Sequence, residues 1–415
     1  MGYFKDFVNR WLGNDIKVAV EKPISARSIG SPGNLIYDGV LQFPNYTQSL
    51  QERQQRYDLF EQMLTDSKVT AIITNIQDKF SSGDWSFVPY SDANAEPTPR
   101  DIEVVDYISN SLFNMPGTPW DKFLYECIIA RLTGCALFEI VLDTLPDSSE
   151  VGLVKLASRA LSTIEKWDHD KDILKGVYQQ TENMDDDQVY IPAEKLLRVT
   201  FGETGSNFEG VGAFIGMYNA WKSKQDLEAR HLEYAKKLAG MITVTFPDVV
   251  SDADLNDLAK SIKEANRNNA LFVNEKFKVD ITFPPESFDF VSAKREYDLD
   301  ILLTLNAEHL IIGTGDTGAY SAAKEHANTF DTTVSGIAGV IIKALNPLVK
   351  KLIDMKFGSV SGYPELVYSL PERTIHQQLL AIKDADALQN EALRKKAFEL
   401  LGVEFIDDDV IEDED

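Results

Sequence analysis

The sequence predicts an α+β fold with more than one domain. Its 415 residues exceed the roughly 150 of an average domain, which favours two or three domains. The first half mixes helical and strand patterns, whereas the second half holds long helical patterns around one small α/β segment. Hydrophobic residues make up 44% of the chain, an ordinary share for a protein with a buried core.

The beginning of the chain predicts an arm followed by mixed elements. Residues 14–48 contain several glycines, prolines and serines without periodicity and predict an extended arm. Apolar residues recur at helical spacing between 50 and 78, which predicts one or two helices. The alternating segment DWSFVPY (84–90) predicts a strand, and residues 100–113 predict a further helix.

The rest of the first half predicts a helix and several strands. A helix is expected from Trp120 to Leu132, ended by Gly134, and residues 135–143 follow as a strand. Residues 156–180 predict strands joined by a polar turn. Residues 190–202 predict a strand pair or a strand and a turn.

A long helix opens the second half. Between Ala213 and Ala239 the chain contains no proline and one glycine, and a helix of this length extends about 40 Å. Its narrow apolar stripe cannot be buried by the helix itself, which indicates side-by-side packing in an assembly or in a hairpin arm. The stripe comprises Phe214, Met217, Tyr218, Trp221, Leu232, Ala235 and Ala239.

A small insert and a second long helix follow. Residues 241–290 predict a strand, a helix capped by Ser251 with Asp254, and a hairpin. The second helix is expected over 291–312.

The remaining segments are helical around one strand region. A glycine-rich loop precedes a helix from Ser321 to about Phe357, with a bend near Pro347, and then a strand region. Residues 371–401 predict two short helices, and the acidic composition beyond them predicts disorder.

The charge balance bears on function. There are 66 acidic against 41 basic residues, a net charge of −25, and the last ten residues, IDDDVIEDED, hold seven acids and no base. Affinity for nucleic acid arises mainly from cations that neutralise phosphates, so this chain is expected to grip DNA poorly. It can still lie beside DNA without holding it.

Neither cysteine chemistry nor a membrane span is expected. Cys127 and Cys135 predict buried free thiols rather than disulfides or a zinc site. No apolar run reaches the ~18 residues that cross a bilayer, and the first residues lack the apolar region of a signal peptide. These features favour a soluble protein made in a reducing cytoplasm.

The motifs of known chemistry are weak. Gly313, Gly315 and Gly318 form G-x-G-x-x-G, which binds a dinucleotide only after a β-strand and with an acid about 20 residues later. Here the preceding pattern is helical and Asp331 comes too early, which favours a flexible loop. The segment DHDKD (168–172) predicts a hairpin turn rather than a calcium loop. The scattered histidines match no metal spacing. No enzymatic turnover is predicted, because the strand that a nucleotide-binding loop requires is missing before Gly313.

Several stretches in a fixed order resemble the Mu-like portal family of tailed bacteriophages. They are RLTGCALFEIV (131–141), IPAEKLLRVTFG (191–202), the long helix of 210–240, GTGDTGAYSAAKEHANTF (313–330) and ALNPLVKKLIDMKFG (344–358). The resemblance extends over roughly 35–402. It implies an α+β portal fold with a mixed α/β wing, a long helical stem, a small α/β clip and a helical crown.

The resemblance also implies a division of the chain. The implied parts are the arm and wing (1–207), stem helix 1 (208–240), the clip (241–290), stem helix 2 (291–312), the tunnel loop (313–320), a wing helix with strands (321–370), and the crown with a disordered acidic tail (371–415).

By the same resemblance, the protein forms a ring of twelve subunits at one capsid vertex. The ring conducts double-stranded DNA during packaging and ejection and docks the terminase large subunit and the head-tail adaptor or neck protein. It also contacts the major capsid protein, and it is present in the host cytoplasm during assembly. No cofactor, metal or membrane is implied.

The implied site residues belong to the channel. In the tunnel loop they are Gly313, Thr314, Gly315, Asp316, Thr317, Gly318 and Tyr320. In the stem they are Trp221, Lys222, Lys224, Lys294 and Arg295. Two other hypotheses are a soluble nucleotide-binding enzyme that uses the 313–318 loop and another structural virion protein of the tail or baseplate.

Overall fold

A computed structural model describes most of the chain between residues 36 and 370. The described ranges are 36–37, 40–41, 47–91, 96–145, 151–171, 173–180, 188–237, 241–245, 251–268, 278–282, 288–311 and 319–370. The N-terminal part of the predicted arm, the crown and the acidic tail lie outside these residues.

Runs of helices and runs of antiparallel strands follow one another along the described chain, in agreement with the predicted α+β class. The α-helices are α1 Arg53–Leu64, α2 Ser67–Ser82, α3 Pro99–Phe113, α4 Trp120–Thr133, α5 Phe214–Lys237, α6 Asp252–Asn268, α7 Phe290–Leu303 and α8 Ala319–Phe357. The strands are β1 Ile36–Tyr37, β2 Val40–Leu41, β3 Asp84–Val88, β4 Cys135–Thr144, β5 Val151–Arg159, β6 Ile164–Asp170, β7 Ile173–Gln180, β8 Gln188–Pro192, β9 Leu196–Thr200, β10 Met241–Thr245, β11 Lys278–Thr282 and β12 Glu365–Ser369.

The strands form small antiparallel sheets. One sheet has the order β5–β4–β9 and another the order β6–β7–β8, while β3 pairs with β12 and β10 with β11. Strands β8 and β9, predicted as a pair or as a strand and a turn, are joined by a short 3-10 helix and belong to different sheets. The predicted turn between β6 and β7 is confirmed, and Lys171 there has φ 57°.

The main core lies between the helices and the β5–β4–β9 sheet. It joins α2, α4, the first half of α5 and the part of α8 from Phe330 to Ile353. Because the apolar positions recur at helical spacing, each helix turns one face into it. Its largest fully buried side chains include Phe123, Phe138, Phe214, Phe330, Ile72 and Ile128.

Local sequence determines where the first-half helices begin and end. Asp66 caps α2 by accepting a hydrogen bond from the backbone N–H of Lys68. Thr98 and Asp101 form a reciprocal capping box at α3, and these hydrogen bonds lower the pKa of Asp101. Gly134 ends α4 with φ 120°, a conformation that side chains rarely adopt. The helices predicted over 50–78, 100–113 and 120–132 are therefore confirmed.

The second long helix is shorter than predicted. Helix α7 ends at Leu303, whereas the apolar pattern predicted a helix over 291–312. Asn306 takes up φ 54°, and the N–H of Ala307 donates to the carbonyl of Leu302, which turns the chain. Leu305 and Ala307 are thereby buried in the core. The free energy gained by burying these two side chains exceeds that of continuing the helix beyond Leu303, although the local pattern is compatible with both.

The insert between α5 and α7 contains the predicted strand and capped helix. Strand β10 pairs with β11, and the hydroxyl of Ser251 lies 2.8 Å from Asp254 at the start of α6. The second strand of the hairpin predicted within 271–283 corresponds to β11. The first strand of that hairpin lies outside the described residues.

Helix α8 contains 39 residues and Pro347. By length and composition alone, its part Ala327–Phe357 could cross a membrane, but the core helix of a soluble protein meets the same criteria. Val334, Ile341 and Leu352 pack into the hydrophobic core described above. Helix α8 is therefore a core helix of this fold.

Candidate assembly site on the long helix pair

Helices α5 and α7 pack against each other as an antiparallel pair. Lys224 contacts Asp298, Glu228 contacts Lys294 at 2.5 Å, and His231 stacks on Phe290 with ring centroids 4.7 Å apart. Residue numbers therefore rise along α5 while they fall along α7. The inner half of this helix pair lies in the core, and the outer half extends toward the insert.

A buried lysine anchors the inner half. The Lys224 ammonium lies 2.7 Å from a carboxylate oxygen of Asp66 and 2.6 Å from one of Asp298, and its side chain is 3% exposed. Asp66 belongs to the cap of α2, so a single cation joins α2, α5 and α7. A charge at such depth is stable only when it is paired, and here two carboxylates surround it.

The two carboxylates also change the protonation of Lys224. Burial by itself lowers the pKa, but hydrogen bonds to Asp298 and Asp66 and the charges of both groups raise it, and the net pKa lies above the ordinary 10.5. A raised pKa stabilises the fold fully below pH 10.5, and this contribution is lost as the pH rises through the folded-state pKa. We expect the urea midpoint of the wild type, relative to that of Lys224→Met, to fall above pH 10.5.

A second buried charge holds the segment that leads into α5. Glu209 accepts hydrogen bonds from Arg56 at 2.7 Å, from the indole of Trp167 at 3.2 Å and from the Tyr57 hydroxyl at 3.3 Å. The Arg53 guanidinium lies 3.4 Å away. Burial, reinforced by the Glu209 charge, raises the pKa of Tyr57 well above its ordinary value, so its hydroxyl stays protonated and donates.

Close backbone packing makes glycine necessary where this segment meets α4. A Cβ on Gly212 would lie 2.0 Å from the carbonyl oxygen of Leu132. Gly210 has φ 65°, and a Cβ there would lie 2.2 Å from the carbonyl oxygen of Phe201. The start of α5 is thus fixed against α4 and β9 by contacts that only glycine permits.

The outer half of the pair leaves apolar side chains uncovered. Leu232 is 60% exposed, Phe288 59% and Val291 74%, around the aromatic contact of Phe290 with His231 and Tyr234. We call Leu232, Phe288 and Val291 the outer apolar patch. Grouped exposed apolar side chains are characteristic of interaction surfaces.

The predicted stem residues divide into two groups. Trp221 and Lys224 are buried in the core region, so they anchor the helix rather than line a surface. Lys222 is exposed and lies 3.4 Å from Asp226 one turn later, Lys294 pairs with Glu228, and Arg295 is exposed.

The predicted channel residues lie almost entirely outside the described residues. Gly313, Thr314, Gly315, Asp316, Thr317 and Gly318 lie outside the described residues. Tyr320 lies in the first turn of α8, but its side chain is outside the described part.

Neither a metal nor a dinucleotide site is visible in the described ranges. No group of three histidine, cysteine or acidic side chains among these residues could hold a metal ion. The described chain before Gly313 is a 3-10 helix, Glu308–Leu310, and not the strand that a dinucleotide-binding loop requires. Cys127 and Cys135 are buried free thiols, as predicted, and burial raises the pKa of Cys135 to about 12.

Comparison with protein families identifies the chain. Residues 57–399 match the family model described as the portal protein of Mu bacteriophage. The chain belongs to this family. Portal proteins are structural rather than enzymatic, and they form the ring at one vertex of the capsid. No curated protein matches the sequence.

Two solved chains from gene transfer agent particles share the fold of this portal protein. A chain in the virion of a native gene transfer agent particle is 10% identical with a TM-score of 0.50, covering 84% of this chain and 94% of its own. A chain from the neck of the native particle, computed with C12 symmetry, is 12% identical with a TM-score of 0.50, covering 82% and 91%. An HK97-family portal protein from Corynebacterium diphtheriae is 13% identical with a TM-score of 0.44, covering 74% and 94%.

Sequence reasoning missed the anchoring partners. Asp66, Asp298 and Glu209 were not predicted as a group, because they are far apart in the sequence. One signal was present in the sequence. Lys224 follows Trp221 by three residues and therefore lies on the apolar face of α5. A lysine at a core-facing position indicates a buried carboxylate partner.

Proposed function

We propose that this chain assembles into a portal ring of twelve subunits, through which double-stranded DNA enters and leaves the capsid. The observation that carries the proposal is the family match over residues 57–399. The fold likeness to the neck of a gene transfer agent particle with C12 symmetry supports the subunit number. Negative-stain images of the purified protein test it, because a compact monomer would contradict a ring with a central hole.

In this proposal the α5–α7 pair forms the stem of the ring. Its inner half is held in the subunit by Lys224, whereas its outer apolar patch has no cover within the described subunit. A neighbouring copy of the same pair would cover that patch, and burial of apolar area would favour association.

Charges on the outer apolar patch are expected to prevent ring assembly. In the variant Leu232→Asp/Val291→Asp, each interface would bury two unpaired carboxylates, which is strongly unfavourable. We expect mass photometry to find single chains at concentrations where the wild type forms rings. The melting temperature of the single chain should remain unchanged, because both side chains are exposed within it.

The matched control places the same charge on another exposed apolar residue. Ile173 is 67% exposed at the turn between β6 and β7. Ile173→Asp should leave ring formation intact. Rings formed normally by the double variant, or lost equally in the control, would remove the outer apolar patch from the interface.

The channel itself is proposed to include residues 313–320. A strongly negative ring repels DNA rather than holding it, and the net charge of −25 per subunit suits a conduit for any sequence. Three glycines, two threonines, Tyr320 and the single charge of Asp316 would provide a small, non-adhesive surface.

Replacement of Asp316 by arginine is expected to slow DNA packaging, most strongly at low salt. Each new cation adds a phosphate contact, and the resulting grip weakens as the salt concentration rises. Packaging rates of the variant and of Asp316→Asn across salt concentrations provide the measurement. An unchanged low-salt rate for Asp316→Arg would exclude the loop from the channel wall.

The proposed partners follow the division of the chain. The insert of residues 241–290 would dock the terminase large subunit and later the head-tail adaptor or neck protein. The wing would meet the major capsid protein, and assembly would take place in the host cytoplasm.

Deletion of 243–288 should leave a folded wing that cannot support packaging, because the insert that would dock the terminase is then missing.

A further inference from the structure

A groove lies between α8 and the 3-10 turn before β9. Its volume is about 340 Å³. The apolar floor is made by Ile140, Leu197 and Leu348, which are buried. The proposed function does not use this groove.

The rim of the groove is cationic in a strongly acidic protein. Arg198, Lys343 and Lys351 line it together with one acidic side chain, Glu194. Lys343 is exposed and has no ion-pair partner among the described residues, and Lys351 donates to the backbone carbonyl of Glu194 at 3.2 Å. Arg198 is paired with Glu203 at 2.9 Å. Two lysine charges at the rim therefore have no carboxylate partner in the described part of the chain.

Pro347 adds a backbone acceptor to the same place. Proline has no N–H, so it leaves the carbonyl of Lys343 without its usual helical donor. Both residues line the groove. The groove therefore combines an apolar floor and two lysine charges, beside a helix segment whose Lys343 carbonyl lacks its usual donor. This set fits an acidic peptide with its own N–H groups and apolar side chains.

We propose that the acidic tail, residues 406–415, binds this groove. In the tail, Val410 and Ile411 stand between three aspartates (407–409) and four acids (412–415). The apolar pair matches the floor, and the flanking carboxylates match Lys343 and Lys351. With the two helices that the sequence predicts over 371–401, residues 371–405 span about 50 Å at 1.5 Å per residue. A segment of this length can bring the tail to the groove of its own or a neighbouring subunit.

The apolar floor favours a peptide over DNA. A duplex presents phosphates to such a rim but has no apolar side-chain pair to cover Ile140, Leu197 and Leu348. A tail bound here would also neutralise lysines that could otherwise hold phosphates. The inference is independent of the portal function, since it rests only on the groove and the tail of this chain.

Zero-length carbodiimide cross-linking of the full-length protein tests the proposal, because it joins only contacting carboxylates and amines. We expect cross-linked peptides that connect 406–415 with Lys343 or Lys351. Their yield should fall on the order of tenfold in Val410→Ser/Ile411→Ser, which keeps every tail charge but loses apolar burial. It should also fall at high salt and when a synthetic 406–415 peptide competes.

Lys122 provides the matched control. It is an exposed lysine on α4 without an ion-pair partner among the described residues. Equal cross-linking of the tail to Lys122 would overturn the proposal, as would an unchanged yield in the serine variant. A duplex oligonucleotide that abolishes the cross-links while the 406–415 peptide does not compete would assign the groove to DNA and likewise overturn it.

Discussion

Replacement of Lys224 by methionine is expected to lower the free energy of unfolding by about 3–5 kcal/mol. The variant leaves the carboxylates of Asp66 and Asp298 buried beside each other without the cation that lies 2.7 and 2.6 Å from them. It also disconnects α5 from the cap of α2 and from α7. Urea unfolding followed by fluorescence provides the measurement, with circular dichroism to confirm a folded starting state.

Two comparisons separate a buried anchor from an ordinary ion pair. Lys294→Met removes the partner of Glu228 on the same helix pair, but both side chains are nearly half exposed, so a loss below about 1 kcal/mol is expected. Adding Asp66→Asn and Asp298→Asn to Lys224→Met removes the uncompensated charges and should recover much of the loss, since asparagine also caps helices. Equal losses for Lys224→Met and Lys294→Met would contradict the anchor.

Substitution of Gly212 by valine is expected to cost more than about 3 kcal/mol, because it forces backbone apart at the entry to α5. A Cβ at this position would lie 2.0 Å from the carbonyl oxygen of Leu132, a backbone atom that cannot rotate away. Separation of α4 from the start of α5 would also move the inner half of the helix pair. Thermal unfolding and the soluble yield of the variant report the effect.

Gly336 is the matched glycine in an open position. A Cβ there meets nothing within 4 Å, and the residue lies inside α8. Gly336→Ala should therefore stabilise the protein by roughly 0.5–1 kcal/mol, the ordinary gain of alanine over glycine in a helix. A Gly212→Val variant as stable as the wild type would refute the close contact with α4.

Helices with clear periodicity or good caps were predictable from the sequence, and the end of α7 was not. The start of α3 depends on the capping box of Thr98 with Asp101, and the end of α4 depends on Gly134, which the sequence already indicated as its stop. Both effects act within a few residues. At Leu303 the apolar pattern continues, and what ends the helix is the burial of Leu305 and Ala307 against distant elements. A local pattern contains no information on that distant surface.

The candidate site shows the same division. The stripe on α5 indicated a helix that needs a partner, and Leu232 of that stripe is 60% exposed, without cover from the described residues. The stem lysines, in contrast, were predicted as one group. The spacing of Lys224 from Trp221 places it on the apolar face of α5. The packing, however, is what shows that two carboxylates surround it, whereas Lys222 and Lys294 lie at the surface.

By itself, the sequence determined the α+β class, the long helix, the capped insert and the acidic character. It also determined the family resemblance, and the family match over 57–399 confirms that resemblance. These depend on composition, periodicity and neighbouring residues. The tertiary structure alone decided that Asp66, Lys224 and Asp298 meet, that Glu209 joins Arg56 to Trp167, and that a cationic groove forms beside Pro347. Such contacts join residues far apart in the chain, and their positions follow from how the helices pack rather than from any local preference.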